Sequence, residues 1–519
     1  RVIGNDASRI YGNLNANGQV FLINQNGILF GQGAQVDVGG LIASTRDIDT
    51  QAFMNATDTY QFSGSSDAKV INAGEIKAQG GVVALLAKQV DNQGTIVTVD
   101  GTTALAAGDE ISIDYEGDGK INLSVDKAVV NAAALNSGSI QANGGYVLMT
   151  ARDASKALNT VIRNTGRLEA KTLSVSDTGE IVLSGGDQGI VEAGGVMDVS
   201  GDASGQKAGT IRVIGQNTDV TGILKATGDT AGGLIETSGT VLNVGEASID
   251  ASSVNGTAGE WLLDPMMVVI GDKDTGPATG GIWTYTGGAS NTVSYIKAST
   301  IDDLLNKGTA VKSQAVDNPN KVASIEVNSA IAKTTGKDTS LTLEAQRSIT
   351  VNQSITASGT GKLDVTLHSD TDGDAFGSVV VNADIATNGG AFTAGGGSDI
   401  TKGTVGTYFG HRTGEALTAN RIITTNGGAI NLYGDVAVGL NGAQLQLNTA
   451  GGNITITGNV DSGNSYTAYT DLMTDGKYSA QWEKLLLDYY NATHKVTVKS
   501  LTDTQKTNLT NQIVHSWDK

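Results

Sequence analysis

No cysteine occurs in the 519 residues. Disulfides, thiolate zinc sites and thiol chemistry are therefore excluded. The absence also suits a chain exported unfolded, because a cross-linked loop threads poorly through a narrow pore. Proline is almost as scarce, at 3 residues, against a usual ~5%. Basic residues are few: 34 Lys+Arg against 53 Asp+Glu leave a net charge of −19. That excludes nucleic acid and anionic membrane surfaces as partners, since both need basic patches. No apolar run reaches the ~18 residues of a membrane-spanning helix, so no membrane insertion is expected. The chain opens at Arg1 with no charged-then-apolar leader. It reads as an internal fragment or processed form, with any targeting signal upstream.

Glycine is abundant instead, at 70 of 519, about twice the usual ~7%. There is no Gly-X-Y period, so collagen is excluded. An apolar share of 39% excludes a flexible linker. High glycine with little proline fits a chain that turns often and commits its backbone N–H groups to strand ladders.

The organising feature is internal repetition. Asn-x-Gly-x-(Ile/Leu) recurs at Asn72–Ile76, Asn92–Ile96, Asn136–Ile140 and Asn164–Leu168, in steps of 20, 44 and 28 residues. The stretches 70–90 (VINAGEIKAQGGVVALLAKQV) and 134–154 (ALNSGSIQANGGYVLMTARDA) are longer copies. A second unit places Met197, Leu224 and Ile249 at steps of 27 and 25 residues. A third sets Gly-Gly before a strand, at Gly389-Gly390, Gly427-Gly428 and Gly451-Gly452. Within the units apolar and polar residues alternate, as at Leu363, Val365 and Leu367. Period two gives strands with one face in and one face out. Asn-Gly, Asp-Gly and Gly-Gly pairs between them supply positive-φ corners.

Repeats of 20–28 residues built from short strands and Gly/Asn corners predict a parallel β-helix. Inward Val, Ile, Leu and Ala would stack into one core, and recurrent asparagines into side-chain ladders. At about 25 residues per coil the chain gives on the order of 20 coils, a rod of roughly 90 Å. A globular sandwich is the competing reading. It explains strands and turns but not the copied segments.

Two regions break the rhythm. Residues 266–345 contain a short helix with Thr300 as N-cap, Asp302 and Asp303 in its first turn and Gly308 past its end. Residues 476–519 are richer in charge and large apolar groups, with Gln481–Tyr490 helical in pattern.

Residues 9–45 read SRIYGNLNANGQVFLINQNGILFGQGAQVDVGGLIAS. This text resembles the haemagglutination-activity secretion domain of two-partner-secretion exoproteins, the group of filamentous haemagglutinins and high-molecular-weight adhesins. Trp261-Leu262-Leu263-Asp264-Pro265 looks like a WLxDP signature of the same large adhesins. The resemblance covers residues 1 to about 470 and not the last ~50. It implies a right-handed parallel β-helix or solenoid; with the small insertions and helical C-terminal segment read above, the expected fold class is all-β. It also implies export across a Gram-negative outer membrane by a dedicated β-barrel transporter that reads the secretion domain. The family's Asn-Pro-Asn-Gly motif falls on Asn24, Gln25, Asn26 and Gly27, with glutamine in place of proline. Both asparagines and the glycine keep their places, so these four residues are the expected transporter-recognition turn. The implied organisation is a remaining secretion domain (1–130), β-helix coils (131–265), an interruption (266–345), further coils (346–475) and a non-repeat segment (476–519).

Other candidates have bland competitors. Asp370, Asp372 and Asp374 alternate as Ca²⁺ ligands do. The loop fails the EF-hand pattern, because its glycine is misplaced and position 12 is Val381. It reads as a solvated acidic loop, as does Asp114–Gly119. The four histidines, His368, His411, His494 and His515, show no metal-ligand spacing. Trp261 could offer a sugar platform but reads better as core. Asn-x-Ser/Thr at Asn55, Asn255, Asn352, Asn453, Asn491 and Asn508 is mostly chance in a chain this rich in both residues. No catalytic residue, metal or cofactor is assigned. The expectation is a secreted or surface-held, non-enzymatic adhesin that meets a glycan or protein receptor on host or bacterial cells. The alternatives are the stalk of a contact-dependent inhibition toxin or a haem/iron-acquisition exoprotein. The cross-class rival is a β-helical polysaccharide-degrading enzyme, which would need clustered carboxylates on one outer face.

Overall fold

A computed structural model describes residues 1–462 except 56–58, 116–120, 156–158, 176–177, 276–292, 317–322, 376, 411–419 and 439–443. Beyond 462 it describes only 473–474, 477–478, 500–502 and 505–506. The expected helical stretch Gln481–Tyr490 lies outside the described residues.

The chain winds into a parallel β-helix. One 22-stranded sheet runs from Asn13–Ile23 to Ile454–Ile456. A nine-stranded sheet flanks it from Ser8–Ile10 to Val241–Asn243. Past that point an eight-stranded sheet (Met267–Gly271 to Val460–Ser462) and a five-stranded sheet (Ile331–Lys333 to Leu445–Asn448) form the other faces. Coil pairs with coil in parallel, each strand meeting its copy one turn later.

The register turns the sequence repeats into columns. Ile76, Ile96, Ile140, Leu168, Met197, Leu224 and Ile249 stand one above another, each at most 3% exposed. The first two repeat units of the sequence are thus one structural series. A second column joins Val20, Leu41, Val83, Thr103, Val147, Ile181, Ile211 and Ile235 to Trp261. It continues through Val311, Leu341, Val365, Phe392, Ile430 and Ile454. Full burial of such a side chain contributes about 1.5–3 kcal/mol. The column has fifteen members among the described residues, not the twenty or so expected, because insertions consume chain. Its step lengthens to 44 residues between Thr103 and Val147 and to 50 between Trp261 and Val311.

Glycine does more here than turn corners. A Cβ on Gly94, Gly138, Gly166, Gly195 or Gly222 would stand inside 3 Å of the carbonyl oxygen of the glycine one coil below. The Asn-x-Gly column therefore needs glycine for close approach rather than for positive φ. The third repeat does use positive φ: Asn388 and Gly389, Asn426 and Gly427, and Ala450 and Gly451 all adopt it at equivalent places.

The asparagine ladder forms inside the corner. The Asn72 Nδ2 donates to Asn92 Oδ1 at 2.8 Å, Asn92 to Asn136 at 2.7 Å, and Asn136 to Asn164 at 2.7 Å. The next coil offers Ala193 in register, and the Asn164 Nδ2 is left without a partner. A second ladder, more exposed, links Asn382 to Asn352 and Asn352 to Asn328 at 2.9 and 2.8 Å.

The 266–345 region is not a break in the ladders. Ala310–Ala315 pairs in parallel with Glu260–Pro265 below and Thr339–Ala345 above. One coil there carries a helix, Ala298–Lys307. It begins earlier than expected: Lys297 is the N-cap, so Thr300 lies inside the helix. Ile301, Leu304 and Leu305 are buried and fix this placement. Gly308 closes it in the left-handed conformation at φ 86°, as expected.

One element escaped the sequence reading. Asp47–Ile48, Thr59–Ser63, Glu110–Tyr115 and Ile121–Lys127 form a four-stranded antiparallel sheet outside the solenoid. It covers the outer face of the early coils. Val82–Ala87 and Thr102–Ala107 are consequently buried on both faces. Ile111, Ile113, Phe62 and Ile121 pack on Val82, Ala84, Leu86 and Ala104. Phe21, Phe53, Tyr60 and Tyr115 line the margin, with ring centroids 5.0 to 6.0 Å apart. The solvated loop expected over 114–119 is corrected in part: Asp114 and Tyr115 end a hairpin strand. The alternation on either side of Asp118-Gly119, and the uninterrupted run VVALLA, were the signals for a covered face.

Candidate functional site

Residues 24–27 form a tight turn between the strands Asn13–Ile23 and Ile28–Phe30. Asn24 is fully buried. Its Oδ1 accepts the Asn26 N–H at 2.9 Å, and its Nδ2 donates to Asp6 O at 3.0 Å and Ser8 Oγ at 2.9 Å. The Asn26 Nδ2 donates to Gly4 O at 2.7 Å, and Gly27 has φ 110°. The two asparagines thus stitch segment 4–8 onto the turn. Gln25 and Asn26 are exposed at the apex. The Gln25 carbonyl accepts from Ser66 Oγ at 2.5 Å, while its N–H donates to nothing among the described residues. Proline would therefore be tolerated at 25 without loss of a bond.

Behind this turn sits Arg46, with a fully buried guanidinium. It donates to Gly108 O at 2.6 Å, Ser66 O at 2.7 Å and Asp109 Oδ1 at 3.3 Å. Burial pulls its pKa down, and Asp109 opposes that. Arg46 ties the early coils to the antiparallel sheet. An isolated arginine in a polar stretch carried no signal of this in the sequence.

The acidic loop brings Asp370, Asp372 and Asp374 together, with one carboxylate oxygen from each inside a 4.8 Å sphere of separation. Asp370 is buried with φ 50°, and its Oδ1 accepts from Ala375 N at 2.9 Å. Burial, then its hydrogen bond to Asp374, pushes the Asp370 carboxyl up to about 6. The Arg347 guanidinium lies 3.0 Å from Asp374 and 3.4 Å from Asp372. This arginine supplies the positive charge a Ca²⁺ ion would bring. His368 bonds through Nε2 to Gly397 O at 2.7 Å; the other histidines lie outside the described residues. Trp261 is core, and its Nε1 donates to Thr237 Oγ1 at 3.1 Å. Asn352 spends its amide in a ladder.

Carboxylates do gather on one outer face, where Glu180, Glu236, Glu260, Asp264 and Glu344 alternate with buried residues of successive strands. Most are tied. Arg212 bridges Glu180 at 3.3 Å and Glu236 at 2.9 Å. Lys312 meets Glu344 at 3.0 Å. Glycoside hydrolysis needs an acid and a base free to face each other across a sugar. Glu260 and Asp264 make no ion pair among the described residues, but they stand four residues apart on one strand, about 13 Å, too far for an acid and a base to share one sugar.

Residues 1–199 match the family model of the TPS secretion domain. Residues 1–199 thus carry the secretion domain of two-partner-secretion exoproteins, a class secreted across the outer membrane. A heme/hemopexin-binding protein of Haemophilus influenzae strain Rd is 31% identical over 211 residues, 39% of this chain and 22% of that protein. A second heme/hemopexin-binding protein of Haemophilus influenzae is 30% identical over 207 residues, 36% of this chain and 22% of that one. The chain thus spans about a fifth of the length of these relatives. The crystal structure of the HMW1 secretion domain from Haemophilus influenzae aligns over 86% of this chain and 84% of that one, at 22% identity and a TM-score of 0.38.

Proposed function

We propose that this chain is the secretion-and-scaffold portion of a surface adhesin, exported by an outer-membrane β-barrel transporter and acting without catalysis. The observation that carries the reading is the secretion-domain match over 1–199 on coils that stack without interruption. The turn Asn24–Gly27 is the proposed recognition element. Its asparagines hold the turn rigid, and its apex faces solvent. A polar, acidic outer wall keeps a chain of stacked strands soluble and leaves its side chains open to a receptor.

Two measurements test this. Co-expression with the cognate transporter should show secretion lost for Asn26→Asp, which alters the apex, and retained for Gln25→Pro. Secretion unaffected by Asn26→Asp would remove the turn from recognition. The purified chain should bind a glycan panel or intact host or bacterial cells saturably. A folded chain that binds neither would reduce it to secretion domain and stalk.

A second reading, haem or haemopexin capture, is favoured by the names of both curated relatives. Their matched lengths, 211 and 207 residues, are close to the 199 of the secretion domain. The likeness is thus of the extent of a shared export module. A Soret band on haem titration would support haem capture over attachment.

A further inference from the structure

The three faces of the solenoid do not cross the level of Glu260–Pro265 in the same way. On the first face the ladder is continuous: Leu234–Gly239 pairs with Glu260–Pro265, and that strand pairs with Ala310–Ala315. On the second face the nine-stranded sheet ends at Val241–Asn243 and the eight-stranded sheet starts at Val293–Lys297. Strand order is inverted there. Val293–Lys297 lies against Val241–Asn243, and Met267–Gly271, earlier in the chain, pairs above it. On the third face one strand series ends at Ser248–Asp250. The helix Ala298–Lys307 packs next, and the five-stranded sheet starts above it at Ile331–Lys333.

Where the ladders stop, side chains take up the backbone N–H groups left over, since a buried N–H has to be paired. The Leu242 N–H donates to Ser294 Oγ at 2.9 Å, and the Ala251 N–H to Thr309 Oγ1 at 3.0 Å. Both hydroxyl residues are fully buried. From the coil above, the Ala332 N–H donates to Asp302 Oδ1 at 2.7 Å. The Thr334 and Thr335 N–H groups donate to Asn306 Oδ1 at 2.8 and 3.0 Å. The helix thus presents Asp302 and Asn306 where a strand would have presented carbonyls.

The faces also differ in height. Between the flanking coils the first face holds one strand, ~4.8 Å wide. The second holds two, Val293–Lys297 and Met267–Gly271. The third holds a helix, ~10 Å across. Extra thickness on two sides wedges the rod toward the continuous side. Opening is also easiest where ladder bonds are few.

We propose that this level is a hinge. The coils up to Asp250 and those from Ala310 move as two blocks about the continuous strand series, and the rod opens at the Ser294 and Thr309 stitches. The covered early coils then tilt as one body against the coils that follow.

The test is spin-label distance measurement by double electron–electron resonance on the full chain, whose lack of cysteine lets labels attach only where placed. Asp219→Cys with Thr350→Cys spans the stitched second face, and Val182→Cys with Thr342→Cys spans the continuous one. Each pair is five strand steps apart. The distance distribution across the stitched face is expected to be at least twice as wide as the other. Adding Ser294→Ala and Thr309→Ala should widen it further and leave the continuous face unchanged. Equal widths on the two faces would overturn the hinge, and this comparison decides alone if the stitch variant misfolds. Widening of both pairs by the stitch variant, or of neither, would overturn it too.

Discussion

The buried asparagine ladder allows a sharp comparison. Asn136 sits in its middle, accepting from Asn92 and donating to Asn164, both at 2.7 Å. Asn136→Ala would remove both bonds at once. It would leave the Asn92 Nδ2 with only a long 3.4 Å contact to Gly94 O. It would also strip Asn164 of the donor to its Oδ1, while the Asn164 Nδ2 is already unpaired. Each orphaned buried polar group costs about 1–3 kcal/mol. Two give a loss of about 3 kcal/mol, local to the coils between Asn72 and Asn164. The control is Asn352→Ala, which breaks two bonds of nearly the same length, 2.8 and 2.9 Å. Of the two groups left over, the exposed Asn328 rehydrates fully and the half-buried Asn382 in part, so the expected cost is about 1 kcal/mol. Hydrogen exchange read by mass spectrometry separates the two, because a solenoid opens locally. Amides of the coils around Asn136 should exchange on the order of a hundredfold faster in the first variant. Equal protection loss in both would refute the reasoning. It would mean that bond count, not desolvation, sets the worth of these ladders.

Four further outcomes follow from the same geometry. Gly138→Ala drives a Cβ into the Gly94 carbonyl; a loss of about 1–3 kcal/mol is expected in denaturant midpoint, and an unchanged midpoint would show that the corner can spread. Ala450→Gly relieves a positive φ of 50° and should gain about 0.5–1 kcal/mol, read as local exchange protection. Arg46→Met leaves Asp109 unpaired and frees Gly108 O and Ser66 O; a loss of about 3–5 kcal/mol is expected, and exposure of Tyr60 and Tyr115 should appear in near-ultraviolet circular dichroism. Asp264 has a folded pKa of about 6, above its unfolded value near ~4, so its contribution to stability is present below pH 4 and lost as pH rises through 6. Asp264→Asn should therefore gain on the wild type between pH 4 and pH 7 in thermal melts, and a constant difference across that range would deny the shift.

The solenoid was legible because a β-helix writes its period directly into the chain. Asn72, Asn92, Asn136 and Asn164 share a corner, and Ile76, Ile96, Ile140 and Leu168 a core column, with a glycine between them at every copy. Spacing alone did not show that Met197, Leu224 and Ile249 extend this same column, since the asparagine gives way to Ala193 and the motif fades while the inward face persists. The antiparallel sheet was missed for a different reason. Its partners, such as Phe62 and Ile111, are far apart in sequence and belong to no repeat. The helix was visible through Gly308, but its start was not, because burial of Ile301 and Leu304 outweighs the capping preference of Thr300. The turn at 24–27 could be located by resemblance, whereas the role of Asn24 as an internal tie appears only in three dimensions.

The two kinds of contact also impose an order on folding. Coil stacking is sequential: Thr103 needs Val83, Ile235 needs Ile211, and each such pairing uses chain one coil before it. Local contacts of this kind form without long loop closure. The antiparallel sheet differs, because Glu110 pairs with Ser63 and Lys127, and Arg46 reaches Gly108 and Asp109. Those bonds cannot form until the chain has advanced past residue 109, and the sheet is complete only with Ile121–Lys127. Until then the outer faces of Val82–Ala87 and Thr102–Ala107 remain uncovered and apolar. A chain entering the medium from one end would meet this condition once, early, and then continue by stacking alone. The absence of cysteine means that no disulfide can lock the early strands in a wrong pairing during that interval. The covered N-terminal portion is thereby the cooperative part of the molecule, and the coils beyond it are additions to a template already closed on its outer side.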